Sequence, residues 1–292
     1  MNTPISKSID RFVELVLHLE DADLEKEWTW GSYKSEGIRF AYFRTYEELR
    51  QLAVRCGQWR QRSGLPISEV QRILGQYHAA YMDLQAVLLG VDRQYDEKPP
   101  AEGGWPVRSV LAHIVGADMG FYVAVRFAVD RYRAGEDPLV EIDDVTWLGI
   151  IGMADEQIDA IMTEPLLGLR AFHDVLHQRI LADFADIREN ELEKPSRFWE
   201  EETHSIRFRL HRFDAHTRQH TLQIEKNLHT FGYVPSESQQ LLRLIFAAQA
   251  ELESTLLGLK DKPVDLLGES AERIDRRTSE VEASLVDQGD IK

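Results

Sequence analysis

The sequence predicts an all-α protein, and three observations carry that prediction. Apolar residues recur at three- and four-residue intervals over most of the 292 residues, while strand-like alternation is hard to find. Ser68 precedes Gln71, and Ser236 precedes Gln239, by three residues, the pattern of a capping box that opens a helix. Glycines stand where the periodic runs stop, at Gly90, Gly135, Gly232 and Gly258.

Eight main helices follow in order. The first covers residues 8–24, with Phe12, Leu15, Val16 and Leu19 on one face. The second covers 37–62. The third opens at the Ser68 capping box and ends near Gly90. The fourth follows the segment GGWP, with Pro106 at its first position, where the missing amide costs nothing, and runs to residue 133. The fifth covers 166–187, the sixth 205–231, the seventh 236–258 and the eighth 269–286. The tail DQGDIK reads as a frayed end. Residues 134–164 are less regular, hold acidic residues and Trp147, and fit short helices at most.

Composition narrows the function. Lys and Arg total 34 against 50 Asp and Glu, a net charge of −16. An acidic surface argues against nucleic acid and against anionic lipid, both of which call for a basic face. The basic stretch RFRLHR at 207–212 is too small to reverse this. The single cysteine, Cys56, excludes an intramolecular disulfide and a cysteine-based metal cluster, and burial as an inert thiol is its expected state. No leader pattern and no membrane-spanning run is read, so a cytoplasmic location is expected. Gly-rich phosphate loops, a nucleophile elbow and a dinucleotide fingerprint are missing from the sequence.

Sliding the chain by 168 residues aligns it with itself without gaps. LEK at 24–26 falls on 192–194, IRF at 38–40 on 206–208, and LLG at 88–90 on 256–258. Gly64 falls on Gly232, and the Ser68 capping box on that of Ser236. Because helix punctuation recurs in register, an internal duplication of a four-helix unit is expected.

Ten histidines provide the chemistry-bearing groups. His216 and His220 are four apart on the sixth helix, so both imidazoles share a face one turn apart, where they can hold one metal. Phe213, Ile224 and Leu228 share that face, which points inward. His113 lies on a stripe with Val110, Ala117 and Ala124 and is expected to face the core. A second pair, His173 and His177, reads as a partly exposed flank of the fifth helix. Asp118 and Glu102 are candidate acids for orienting a histidine. Trp28, Trp30 and Tyr33 form an aromatic group between the first two helices, best explained by packing.

With those residues in view, the stretch 66–233 resembles the DinB/YfiT-like metalloenzymes. The resemblance rests on SEVQRILGQYHAAYMDLQAVLLGV, on the Trp-led opening GGWPVRSVLAHI with one histidine two turns in, and on the later HTRQHTLQI. It implies a four-helix bundle with a long crossover. It also implies a divalent metal (zinc, nickel or iron) on His113, His216 and His220, with Gln223 at a position where the family often has glutamine. Three imidazoles leave a coordination position open, the pattern of a catalytic site. Characterised relatives use low-molecular-weight thiols.

The expected organisation is a metal-binding bundle over 66–233 and a second bundle formed by 1–65 with 234–292. In that second bundle Glu48 and Leu52 stand at the repeat positions of His216 and His220, and Val281 at that of His113, so it is a degenerate copy without the site. The expected function is a divalent-metal-dependent enzyme, a thiol transferase, hydrolase or isomerase. The alternative is a non-catalytic metal- or small-ligand-binding bundle. The expected partner is a small thiol or another small molecule. The expected assembly is a monomer with an internal pseudo-dimer, or a homodimer. No residue is assigned to proton transfer.

Overall fold

The computed structural model describes residues 3–32, 36–91, 93–100, 103–200 and 202–287. Their regular structure is almost wholly helical, and they divide into two compact units. One comprises Met1–Pro66, Ala86–Gly90 and Val234–Lys292, and the other Ile67–Gln85 and Val91–Tyr233.

The first unit is built from α1 (Pro4–Val16), α2 (Arg39–Arg62), α10 (Glu237–Leu256) and α11 (Val264–Asp287). Helix α2 packs on α10 and α11, and α1 on α11 and α10, which closes a ring of four. Helix α1 begins earlier than its apolar periodicity suggested. Thr3 and Ser6 form a capping box and Pro4 takes the first turn, so the start signal is Thr-Pro, not Ser8. It also stops eight residues before the expected end at Leu24, because its terminal carbonyl is claimed from elsewhere in the fold. The Val16 carbonyl accepts from Ser238 Oγ at 2.7 Å and from Tyr42 Oη at 3.3 Å. The chain re-enters only as a short 3₁₀ turn, Asp23–Glu25, that buries Leu24. Helix α11 starts five residues before the expected position, directly after Pro263. Trp28 is buried in this unit's core, and Trp30 stacks under the Arg44 guanidinium at 4.2 Å; Tyr33 lies outside the described residues. Cys56 is buried, and burial pushes its thiol up to about 11.

The second unit is built around α3 (Glu69–Val87), α5 (Val107–Ala134), α8 (Leu166–Phe184) and α9 (Ile206–Thr230). The capping box of α3 forms as the sequence indicates, with Ser68 and Gln71 each accepting the other's amide at 3.2 Å. Pro106 caps α5 from the position just before its first residue. Gly135, in the left-handed region at φ 74°, closes the helix with amide bonds back to the last turn. Short helices α4 (Arg93–Asp96), α6 (Asp144–Ile151) and α7 (Asp155–Met162) fill the connections. Two-residue strands, Pro195–Ser196 and His204–Ser205, pair antiparallel ahead of α9, a feature too short to leave an alternating pattern. By length and composition α5 alone among the described helices could cross a bilayer. However, 72% of its most apolar window is buried inside the protein, which accounts for its composition as the central core helix.

The core of this unit is aromatic. Phe213 on α9 meets Tyr77 of α3, Phe121 of α5 and Phe184 of α8, with ring centroids 5.1, 5.4 and 6.0 Å away. Beside it lies a buried polar cluster. Tyr77 Oη donates to Asp118 Oδ2 at 2.6 Å, and His173 Nε2 lies 3.1 Å from the same oxygen. His78 Nδ1 meets His177 Nε2 at 2.9 Å, and Tyr81 stacks on the His177 ring. His173 and His177 are wholly buried, which corrects their reading as an exposed flank. They occupy the same stripe as Leu169, Leu176 and Ile180, and the Nε2 of each finds a partner on α3 or α5 that sequence spacing cannot reveal, while each Nδ1 is buried without one among the described residues.

This cluster makes stability depend on acid. Burial, and then the neighbouring His78 and His173, push the His177 pKa well below its ordinary value. The unfolded chain protonates this imidazole near pH ~6.5 and the folded chain does not. Below that point each pH unit should therefore cost about 1.4 kcal/mol from His177. Urea denaturation at pH 7 and pH 5 should show the loss, and a His177→Gln variant should show a shallower one.

Candidate metal centre

Helix α9 carries the site because its sequence keeps one face inward for its whole length. Ser205 caps it, accepting from the Phe208 amide at 3.2 Å. The inward stripe then runs Leu210, Phe213, His216, Thr217, His220, Ile224 and Leu228, all buried. Four-residue spacing places His216 and His220 one turn apart, with ring centroids at 4.4 Å. Helix α5, packed against α9, brings in His113 from the second turn of its own chain. Its ring centroid lies 4.9 Å from that of His216 and 4.6 Å from that of His220.

The three residues named from the sequence therefore meet. One donor nitrogen from each lies within 4.8 Å of the others, and no other trio of histidine, cysteine or acidic side chains does this among the described residues. His113 Nε2 and His216 Nε2 are 3.1 Å apart. Two nitrogens on one tetrahedral zinc ion, at about 2.0–2.1 Å each, stand about 3.3 Å apart. The His113–His216 separation is thus what one divalent ion requires, and His220 stands close enough to supply the third nitrogen.

Protonation fits as well. Burial, then the neighbouring imidazoles of His220 and His113, and then the Arg212 charge hold His216 down to about 3. Burial and His220 also lower His113. Both rings are thus neutral at pH 7, with a lone pair to give. His220 Nδ1 is 2.8 Å from Gln223 Oε1, an acceptor, so that nitrogen carries the proton and Nε2 is left bare toward the other two rings. His216 Nδ1 is buried without a hydrogen-bond partner among the described residues.

The surroundings hold the rings in place. Trp105 meets His113 edge-on at 5.0 Å, and Asn227 Nδ2 donates to the Trp105 carbonyl at 2.9 Å. Phe121 meets His216 edge-on at 5.7 Å. His113 is more exposed than its apolar stripe implied, since it sits at the mouth of the bundle near Trp105, which is itself exposed. Asp118 does not orient His113. It is fully buried and serves Tyr77 and His173 instead, because five residues along a helix turn it away from the His113 face. Glu102 lies outside the described residues.

The first unit has no comparable cluster among its described residues. Glu48 Oε1 accepts from Ser270 at 2.8 Å and from Arg273 at 2.7 Å, while Leu52 and Val281 are core residues. Asn227 and Trp105 are supports that sequence reading missed. Their bond spans 122 positions and left no local pattern.

A family model described as the DinB superfamily matches residues 76–224, just over half of the chain, and that span contains all three histidines. A Bacillus licheniformis protein named as a candidate metal-dependent hydrolase is 28% identical over 127 residues, 43% of this chain and 65% of that protein. Less than two thirds of that relative is therefore spanned. Among solved structures, YfiT from Bacillus subtilis is described as a candidate metal-dependent hydrolase with an unusual four-helix bundle topology. It is 17% identical, with a TM-score of 0.44 over 58% of this chain and 92% of its own.

Proposed function

Because the chain belongs to the DinB superfamily, we propose that it is a divalent-metal-dependent enzyme, a hydrolase or a thiol-using transferase or isomerase, working at His113, His216 and His220. The observation that carries this reading is the convergence of three imidazoles from two helices, with no fourth histidine, cysteine or acidic donor among the described residues. A closed structural site would be expected to supply four. The name of the Bacillus licheniformis relative favours hydrolysis among the three reaction types.

In this reading each residue has a distinct task. His216 and His220 bind along one helix face, and His113 closes the third corner from α5. Gln223 fixes the tautomer of His220 through its Oε1. Trp105 and Phe121 shield the imidazoles on two sides and limit their rotation. A divalent ion held there supplies Lewis-acid activation of a water or a thiol. Zinc, nickel and iron all suit three imidazoles, and availability selects among them.

The test is elemental analysis of the purified chain beside a variant with His113, His216 and His220 all changed to alanine. Close to one divalent ion per chain is expected, and none in the variant. Absence of metal from both, after incubation with zinc or nickel, would remove the reading. Metal retained without turnover of esters, amides or thiol-reactive electrophiles would leave a binding protein.

A further inference from the structure

Four arginines lie along α9, and three of them are matched by carboxylates. Arg207 pairs with Glu69 and Glu193, Arg209 with Glu200 at 2.8 Å, and Arg218 with Asp214 at 2.7 Å. Arg212 has no carboxylate and no hydrogen-bond partner among the described residues. Its guanidinium carbon lies 5.9 Å from the centroid of the Phe121 ring.

Its position gives the reason. Arg212 precedes His216 by four residues, so it stands one turn along the same helix face, about 5–6 Å away between Cβ atoms. Phe121 touches both, with its face under the guanidinium and its ring against His216. Arg212 is half-buried, which lowers the local dielectric and strengthens its attraction for an anion. No carboxylate joins the histidine trio among the described residues, so a dication there would remain uncompensated beside a second fixed positive charge.

We infer that Arg212 is the anion-binding subsite of the substrate pocket, and that the substrate is a small carboxylate-bearing molecule whose reacting end lies at the histidine trio. This rests on the metal-dependent reading above. The guanidinium offers two parallel N–H donors to one carboxylate, so it fixes the direction in which the substrate enters as well as its charge. Phe121 holds the guanidinium plane in place for that contact. The pocket thereby selects acids over neutral or cationic molecules with the same reacting group.

The test uses cobalt-loaded protein and three thiols that differ only in their far end: 3-mercaptopropionate, 2-mercaptoethanol and cysteamine. Binding is read from the visible spectrum of the cobalt, without reliance on turnover. The acid should bind about 10- to 100-fold more tightly than the alcohol, as expected for a charge-assisted bidentate pair. Cysteamine should bind most weakly. Arg212→Gln should abolish the acid's advantage and leave the alcohol unchanged, and Arg212→Lys should restore only part of it. Cobalt content of the variants reports that the fold and the trio are intact. Cobalt bound normally, with equal affinity for all three thiols or for none, or with Arg212→Gln still preferring the acid, would overturn this inference alone. Failure to bind cobalt at all would overturn the metal reading and this one with it.

Discussion

Replacing His220 with alanine should weaken zinc binding by more than about 100-fold, and replacing Gln223 with alanine should weaken it by about 10- to 100-fold. The ordering follows from the geometry. His220 supplies one of three nitrogens, and loss of a ligand removes a bond to the ion itself. Gln223 supplies none, but its Oε1 lies 2.8 Å from His220 Nδ1 and sets which nitrogen is bare. Without it, the His220 ring can flip or change tautomer, and part of the population presents N–H to the ion. Gln223→Glu should retain or raise affinity, because a carboxylate accepts the same hydrogen bond more strongly. Competition with a chelator of known zinc affinity measures all three variants. Equal affinity of the Gln223→Ala variant and the native chain would remove Gln223 from the site.

Asp118→Ala should destabilise the second unit by about 3–5 kcal/mol, a large part of the roughly 5–15 kcal/mol that holds an ordinary domain. Asp118 is wholly buried, and its Oδ2 is shared by the Tyr77 hydroxyl and the His173 imidazole. Truncation strands both in the aromatic core and leaves a void between α3, α5 and α8. Asp118→Asn keeps one acceptor and should cost less. Urea unfolding of the apoprotein reads the difference. Added metal should then restore part of the midpoint, because only the folded second unit presents the trio. A loss below about 1 kcal/mol on Asp118→Ala would show that the cluster contributes little to stability.

The helical class, and most helix boundaries, were legible because they depend on short-range rules. Capping boxes at Ser68 and Ser236 act over three residues, and Gly135 stops α5 by backbone conformation alone. The His216 and His220 pair was legible for the same reason, since four-residue spacing on a helix fixes their separation before any tertiary contact forms. Boundaries failed where a distant group intervened. Helix α1 ends at Val16 because Ser238 and Tyr42, far along the chain, take its carbonyl.

Histidine environments divided along the same line. His173 and His177 have the same spacing as the metal pair, and nothing local distinguishes them. Tertiary packing sets them against Tyr77, His78, Tyr81 and Asp118, in the core and away from the trio. Asp118 changed from a helix-edge residue to the centre of a buried network because α3 and α8 pack over it. That no acid pairs with Arg212 among the described residues also belongs to the tertiary structure, since Asp214, its acidic neighbour in sequence, pairs with Arg218.

By itself the sequence determined an all-α chain, the helices' inward faces and the candidate nitrogens, because helix geometry converts spacing directly into direction. The tertiary structure alone decided that His113 stays exposed while His177 is sealed in the core, and that Arg212 lies over Phe121 with no acid beside it among the described residues. Each of these depends on contacts between helices scores of residues apart. Such contacts are fixed by the packing of whole faces, and leave no periodic trace in either segment.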